Sequence, residues 1–167
     1  MGALVGAVLV LTAGCTGSTQ GKASTQEHKA STQEKAYAPH INPADFTTTI
    51  DNEYFPMKPG TIFLYKGGTE RDKMTVTHDT KKVMGVECVV VDDRAWENGQ
   101  LIEKTYDWFA QDKEGTVWYF GEDTKEYENG EVTTTKGSWE AGVDGAKPGI
   151  IMQADPEALK RRQQTAS

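Results

Sequence analysis

Asn98-Gly99 and Asn129-Gly130 each follow a glutamate and stand between runs rich in β-branched and aromatic residues. Asn-Gly takes up positive φ at little cost and closes a tight hairpin, so the strands on either side of each pair must be antiparallel neighbours. A third short turn, Asp112-Lys113-Glu114-Gly115, lies between them. Strands are expected over 61–66, 73–79, 83–96, 101–110, 116–120 and 131–139. Lys58-Pro59-Gly60 turns into the first of these and Gly67-Gly68 closes it, while Pro43, Pro56 and Pro59 exclude a long helix in the entry segment. The expected fold class is mainly β: a single curved antiparallel meander sheet or partial barrel, with little helix.

All fifteen aromatic residues fall at or after Tyr37, so the core is built from there onward. They are densest in TYDWFAQDKEGTVWYFGEDTKEYENG, residues 105–130. Alternation along 101–110 puts Ile102, Lys104, Tyr106, Trp108 and Ala110 on one face and Leu101, Glu103, Thr105, Asp107 and Phe109 on the other, and neither face is purely apolar. Rings in such a hairpin serve either as core and cross-strand partners or as the lining of a concave face left open to a ligand. On the second reading Tyr106, Trp108, Trp118 and Phe120 are the candidate ligand-binding residues.

Charge excludes one class of partner. The formal net charge is -7, and the one compact basic group, Lys160-Arg161-Arg162, sits near the C-terminus, so no nucleic-acid partner is expected. From Glu87 to Glu131 thirteen acids face four bases, which leaves nine uncompensated negative charges. Asp112-Lys113-Glu114-Gly115 starts like a calcium loop, yet Gly115 stands fourth and Thr116 follows it, so the pattern fails. His40 and His78 are far apart, and the chain has no His-x-x-x-His, Cys-x-x-Cys, Gly-x-Ser-x-Gly or glycine-rich phosphate loop. Neither a metal nor a cofactor is expected. Cys88 lies in an apolar β-branched run and reads as a buried thiol.

The chain opens MGALVGAVLVLTAGC, an apolar stretch with no charged side chain. It is too short to cross about 30 Å of hydrocarbon and fits the apolar core of a signal peptide. Leu11-Thr12-Ala13-Gly14-Cys15 resembles the lipobox of bacterial lipoproteins. That resemblance implies a diacylglyceryl group on the Cys15 thiol, cleavage just before it and acylation of the new amine, which together supply the two or more chains a stable anchor needs. Thr16 to Ala36 repeats Ser-Thr-Gln at 18, 24 and 31 and holds no aromatic or β-branched aliphatic residue. Such a stretch cannot offset the entropy of ordering its backbone and reads as a tether spanning about 25 Å.

Ile50-Asp51-Asn52-Glu53-Tyr54-Phe55-Pro56, Asp107-Trp108-Phe109-Ala110-Gln111-Asp112, Val117-Trp118-Tyr119-Phe120-Gly121-Glu122-Asp123 and Lys147-Pro148-Gly149-Ile150-Ile151-Met152 carry a second likeness. Over residues 41–155 the chain resembles a group of uncharacterised secreted bacterial proteins, many with lipoprotein leaders. The resemblance implies a chain shortened at its C-terminus relative to that group, and there Asp155 and Pro156 suit the N-cap and first position of a short helix. The expected organisation is a signal peptide over 1–14, lipidated Cys15 and tether over 15–36, a β-rich domain over 37–155 and a tail or short helix over 156–167. The expected function is that of a lipid-anchored, extracytoplasmic binding module for an apolar small molecule or an envelope protein. The alternative is a metal-dependent or acid/base enzyme using carboxylates of residues 107–131.

Overall fold

The computed structural model describes residues 37–158. The expected leader, Cys15 and tether, and the tail beyond Ala158, lie outside the described residues. Those described form one open antiparallel sheet whose main path runs β2 (Ile62–Gly67), β3 (Glu70–Val83), β4 (Val86–Glu97), β5 (Gln100–Asp112), β6 (Val117–Glu128), β7 (Glu131–Thr134). This is the meander that the Asn-Gly turns require. Three short strands complete it: β1 (Phe46–Thr47) pairs with β5, and β8 (Trp139–Glu140) and β9 (Gly149–Met152) pair with β6.

The strand limits differ from the sequence expectation in three places. The long hairpin β3–β4 turns at Met84-Gly85, both at positive φ (50° and 82°), so 80–82 are strand rather than loop. Thr80-Lys81-Lys82 reads as polar turn sequence because its charges face outward, with Lys82 paired to Glu87 and Lys81 to Glu140. β6 does not stop at Phe120: it passes through Gly121 as far as Glu128. The single strand expected over 131–139 is instead β7, a turn and β8. At the C-terminal end Pro156 does open a helix, with the Ala158 N–H donating to the Asp155 carboxylate (2.9 Å).

Two bulges set the register of the central hairpins. Trp96 pairs with Leu101 but Ala95 with Glu103, leaving Ile102 unpaired; Phe109 pairs with Tyr119 but Trp108 with Gly121, leaving Phe120 unpaired. A bulge inserts one residue into one strand and shifts every pair beyond it.

With no helix layer against it among the described residues, the sheet is covered at one end by its own loops. On one face Val76, Val89, Val91, Phe109 and Val117 lie under Ile50, Phe55 and Met57. On the other, Val83, Val86, Cys88, Trp108, Ala110 and Phe120 lie under Ile41, Phe46 and Ala141. The covering loop over 50–57 is tied down by Asn52, whose side-chain N–H groups donate to the Gly115 and Gln153 carbonyls (2.8 and 3.0 Å) while its oxygen accepts from the Tyr54 and Phe55 N–H groups (2.9 and 3.2 Å). The opposite end of the sheet, toward the Gly67–Glu70 and Glu97–Gln100 turns, is open on both faces.

Gly121 makes the second bulge possible. Its φ is 137°, and a Cβ there would stand 2.3 Å from the Trp139 carbonyl oxygen and 3.0 Å from the Trp108 ring. Gly121→Ala is expected to destabilise the fold by about 3 kcal/mol, from backbone strain and the displacement of β8. Urea unfolding measures this, and a loss under about 1 kcal/mol would mean that β8 yields freely.

Candidate functional site

The structure places the four aromatic candidates on one face but packs three of them into the core. Trp108 is 5% exposed and Phe120 fully buried. Trp118 is half-buried, its indole N–H donating to Asp112 (2.8 Å), and Phe46 meets both Trp118 and Phe120 edge to face. Lys81 lies over the Trp108 ring at 3.6 Å. Tyr106 stands apart, further toward the open end, with the Lys104 ammonium 4.6 Å from its ring centre. This end of the face is therefore filled by the protein's own side chains.

In the open half the register sorts charge by face. Lys73 is directly opposite Arg94, Arg94 opposite Lys104, and Lys104 opposite Lys125, a row of cations across four adjacent strands. Leu64 extends the row onto β2, and Lys66 opposite Arg71 forms the next. Asp92 and Asp123, on the same face, neutralise Arg94 (2.7 Å) and Lys125 (3.5 Å). Among the described residues Lys66, Arg71, Lys73 and Lys104 form no ion pair. Like charges directly opposite in a sheet are destabilising, so the row carries a standing cost on the order of a few tenths of a kcal/mol per pair. Beside it lies a hollow of about 490 Å³ lined by Leu64, Tyr65, Lys66, Arg71, Asp72, Lys73, Trp96 and Gly99.

The opposite face is acidic. Asp72, Asp93, Glu103, Asp107, Glu122 and Glu126 fall on it by register, and no Lys or Arg of β2–β6 shares those positions in the open half. Asp72 Oδ1 and Asp93 Oδ1 are buried with no ordinary donor. Two such oxygens side by side are satisfied when one carboxyl keeps its proton and donates it to the other. Burial, followed by the charges of Asp72 and Asp107, pushes the Asp93 carboxyl up to about 7. Burial likewise raises Asp107 to about 6, against the opposing pull of its hydrogen bond from Tyr119. The Tyr119 hydroxyl contacts both Asp107 (2.5 Å) and Glu122 (2.8 Å). A phenol has a single proton to give, so both contacts are satisfied when the raised Asp107 carboxyl keeps its proton and donates it to the Tyr119 oxygen.

The other candidate groups have structural partners. The Asp112 carboxylate, first residue of the segment that starts like a calcium loop, accepts from the Glu114 and Thr116 N–H groups and from Trp118, while Lys113 reaches Asp45 (3.0 Å). Cys88 is fully buried and its thiol is pushed up to about 12 by burial, so it is unreactive. Among the described residues no group of three or more His, Cys, Asp or Glu side chains is arranged to hold a metal ion. Compared with known protein families, curated proteins and solved structures, the chain matches none.

The cation row was missed by sequence reasoning because it exists only in register. Its one local signal is alternation: Asp72-Lys73, Asp93-Arg94, Glu103-Lys104 and Lys125-Glu126 each set opposite charges on opposite faces.

The acidic face predicts a pH dependence with a definite sign. Asp93 and Asp107 ionise near 3.8 when unfolded but hold their protons to about 7 and about 6 when folded. The folded state therefore binds more protons between those values, and its stability falls as pH rises from about 4 to about 7. The melting temperature is expected to be lower at pH 8 than at pH 5. Asp93→Asn, whose amide donates to Asp72 without titrating, should raise it at pH 8 by a few degrees and shrink the difference. Circular-dichroism melts at both pH values decide this; a wild-type melting temperature that rises from pH 5 to pH 8 excludes the shared proton.

Proposed function

We propose that this chain is a non-catalytic binding module of the cell envelope, held to a membrane by lipid on Cys15, whose ligand is an acidic amphiphile taken up on the cation-bearing face of the sheet. The observation that carries the reading is the row Lys73, Arg94, Lys104 and Lys125 beside an indole-walled hollow. The row is unfavourable on its own, and an anion lying across it relieves the repulsion that the fold sustains. Leu64, 74% exposed, and the half-buried Trp96 offer the apolar body of such a ligand a surface within reach of Lys66, Arg71 and Lys73. The location rests on the apolar leader, the lipobox-like Leu11-Thr12-Ala13-Gly14-Cys15 and the tether that follows.

The enzyme alternative has less support. Asp107 and Glu122 are tied together through Tyr119, and neither they nor Tyr119 line the hollow beside the cation row.

Two experiments test the reading. Cys15→Ser is expected to move the protein from the membrane fraction to the soluble fraction; unchanged retention removes the anchor. In the same Cys15→Ser background, tryptophan fluorescence titrated with oleate below its micellar concentration should report binding, with oleyl alcohol binding at least about tenfold more weakly, a difference of roughly 1.4 kcal/mol. Lys73→Glu combined with Lys104→Glu should weaken oleate by a similar factor and leave the fold as stable or more so, since it breaks up the like-charge row. Equal affinity for oleate and the neutral alcohol, or no effect of the double substitution, defeats the proposed site.

A further inference from the structure

The two edges of the sheet are built differently. On one side β6 is covered in succession by β9, β8 and β7, strands of two to four residues. On the other side β2 is six residues long, pairs with β3 in unbroken register, and has no partner on its outer edge among the described residues. It contains no proline and one charge, Lys66. Ile62, Leu64 and Tyr65 are 51%, 74% and 55% exposed, and Leu64 is the most exposed large apolar side chain described. Natural edges of this length are blunted by charge, proline or bulges, and this one has few of those protections.

The outward backbone groups follow from the ladder. The Val76 N–H donates to the Thr61 carbonyl (2.9 Å), which makes Thr61 and Val76 a bonded position. Bonded and non-bonded pairs alternate along an antiparallel ladder, so Phe63 and Tyr65 also bond to β3, while Ile62, Leu64 and Lys66 turn their N–H and C=O groups outward.

We infer that β2 pairs antiparallel with β2 of a second copy of this chain, about a two-fold axis through Leu64. That register uses the whole run from Ile62 to Lys66. Leu64 meets Leu64 of the second copy and Ile62 meets its Lys66, each pair exchanging both backbone hydrogen bonds. Phe63 faces Tyr65 of the second copy on the other side of the sheet, and the two Lys66 side chains are kept apart. The strand is thus complementary to itself in hydrogen bonding and in ring contacts, with its one charge set clear of its copy. The interface shares Leu64, Tyr65 and Lys66 with the edge of the ligand hollow but is read separately: cross-linking and sedimentation are done without oleate, so loss of oleate binding leaves it standing, and a chain that stays monomeric leaves the ligand site standing.

The test is disulfide trapping in the full chain carrying Cys15→Ser, in non-ionic detergent, where the remaining Cys88 is buried. Bonded antiparallel pairs have Cα atoms about 5.5 Å apart, within the range of a disulfide. Under mild oxidation Leu64→Cys should form covalent dimers. Ile62→Cys and Lys66→Cys should stay monomeric singly and cross-link when combined in one chain. Absence of dimer at Leu64→Cys, or equal cross-linking at all three single positions, overturns the inference. Sedimentation equilibrium adds a measure without new cysteines: Leu64→Lys should weaken association about tenfold or more, and a wild-type chain that stays monomeric at high micromolar concentration also overturns it.

Discussion

Asn52 holds the covered end of the molecule together. A single sheet buries nothing until something lies on it, and here the cover on one face is a stretch of irregular chain whose backbone groups need partners as much as its side chains need burial. Asn52, 6% exposed, supplies them with one amide: its donors tie the β5–β6 turn at Gly115 to the segment after β9 at Gln153, and its oxygen shapes the turn through Tyr54 and Phe55. Gln111 completes the joint, accepting from the Asp51 and Asn52 N–H groups and donating to Asp51. Ile50, Phe55 and Met57 reach Val89, Val91 and Phe109 only because this joint fixes the path between them. A buried amide with every donor and acceptor used contributes through what its loss would orphan, since each unsatisfied group costs about 1 to 3 kcal/mol.

The packed end anchors the strands, and that leaves the open end free to carry charge arrangements a core would reject. The two bulges do the sorting. A register continued unbroken from the Asn98-Gly99 turn would oppose Arg94 to Glu103 and Asp93 to Lys104, both favourable pairs; the extra residue Ile102 sets Arg94 against Lys104 instead. In the next hairpin an unbroken register would oppose Glu103 to Lys125, and the extra residue Phe120 sets Lys104 against Lys125 and Glu103 against Glu126. Both irregularities exchange attraction between neighbours for segregation between faces. Local rules are broken in this way where something outside the fold supplies the compensation, which is the ground for reading the cation face as a binding surface.

What the sequence made legible follows the same division. Turns with a steric signature were readable: Asn98-Gly99 and Asn129-Gly130 fixed two hairpins, and from them the antiparallel meander, because positive φ selects those residues. Met84-Gly85 makes the same kind of turn with a residue that rarely takes it, so the β3–β4 limits were misplaced. The aromatic hairpin was visible as a feature but not in its role, since Trp108 and Phe120 look alike whether a face is open or covered, and Phe46, Ile41 and Ala141, which cover it, come from distant parts of the chain. The cation row was beyond reach for a sharper reason. Each bulge moves every later pair by one residue; Gly121 inside a strand is a sign of the second, but no composition rule locates the first at Ile102.

The two charged faces also sustain each other. Every cation of the row is next in sequence to a carboxylate on the other side: Lys73 to Asp72, Arg94 to Asp93, Lys104 to Glu103, Lys125 to Glu126. Across the sheet such a pair is separated by about 10 Å, where attraction amounts to roughly 1 kcal/mol or less in a partly solvated setting. That is too weak to replace a salt bridge but comparable with the repulsion along the row, so the acidic face offsets part of what the basic face costs. The offset is incomplete where burial makes the acids keep protons: Asp93, neutral below about 7, then leaves Arg94 with Asp92 as its near counter-charge. Proton uptake on one face thereby makes the other more positive, so the binding proposed for the row would be linked through the thickness of a single strand layer to the state of the buried carboxyl pair behind it.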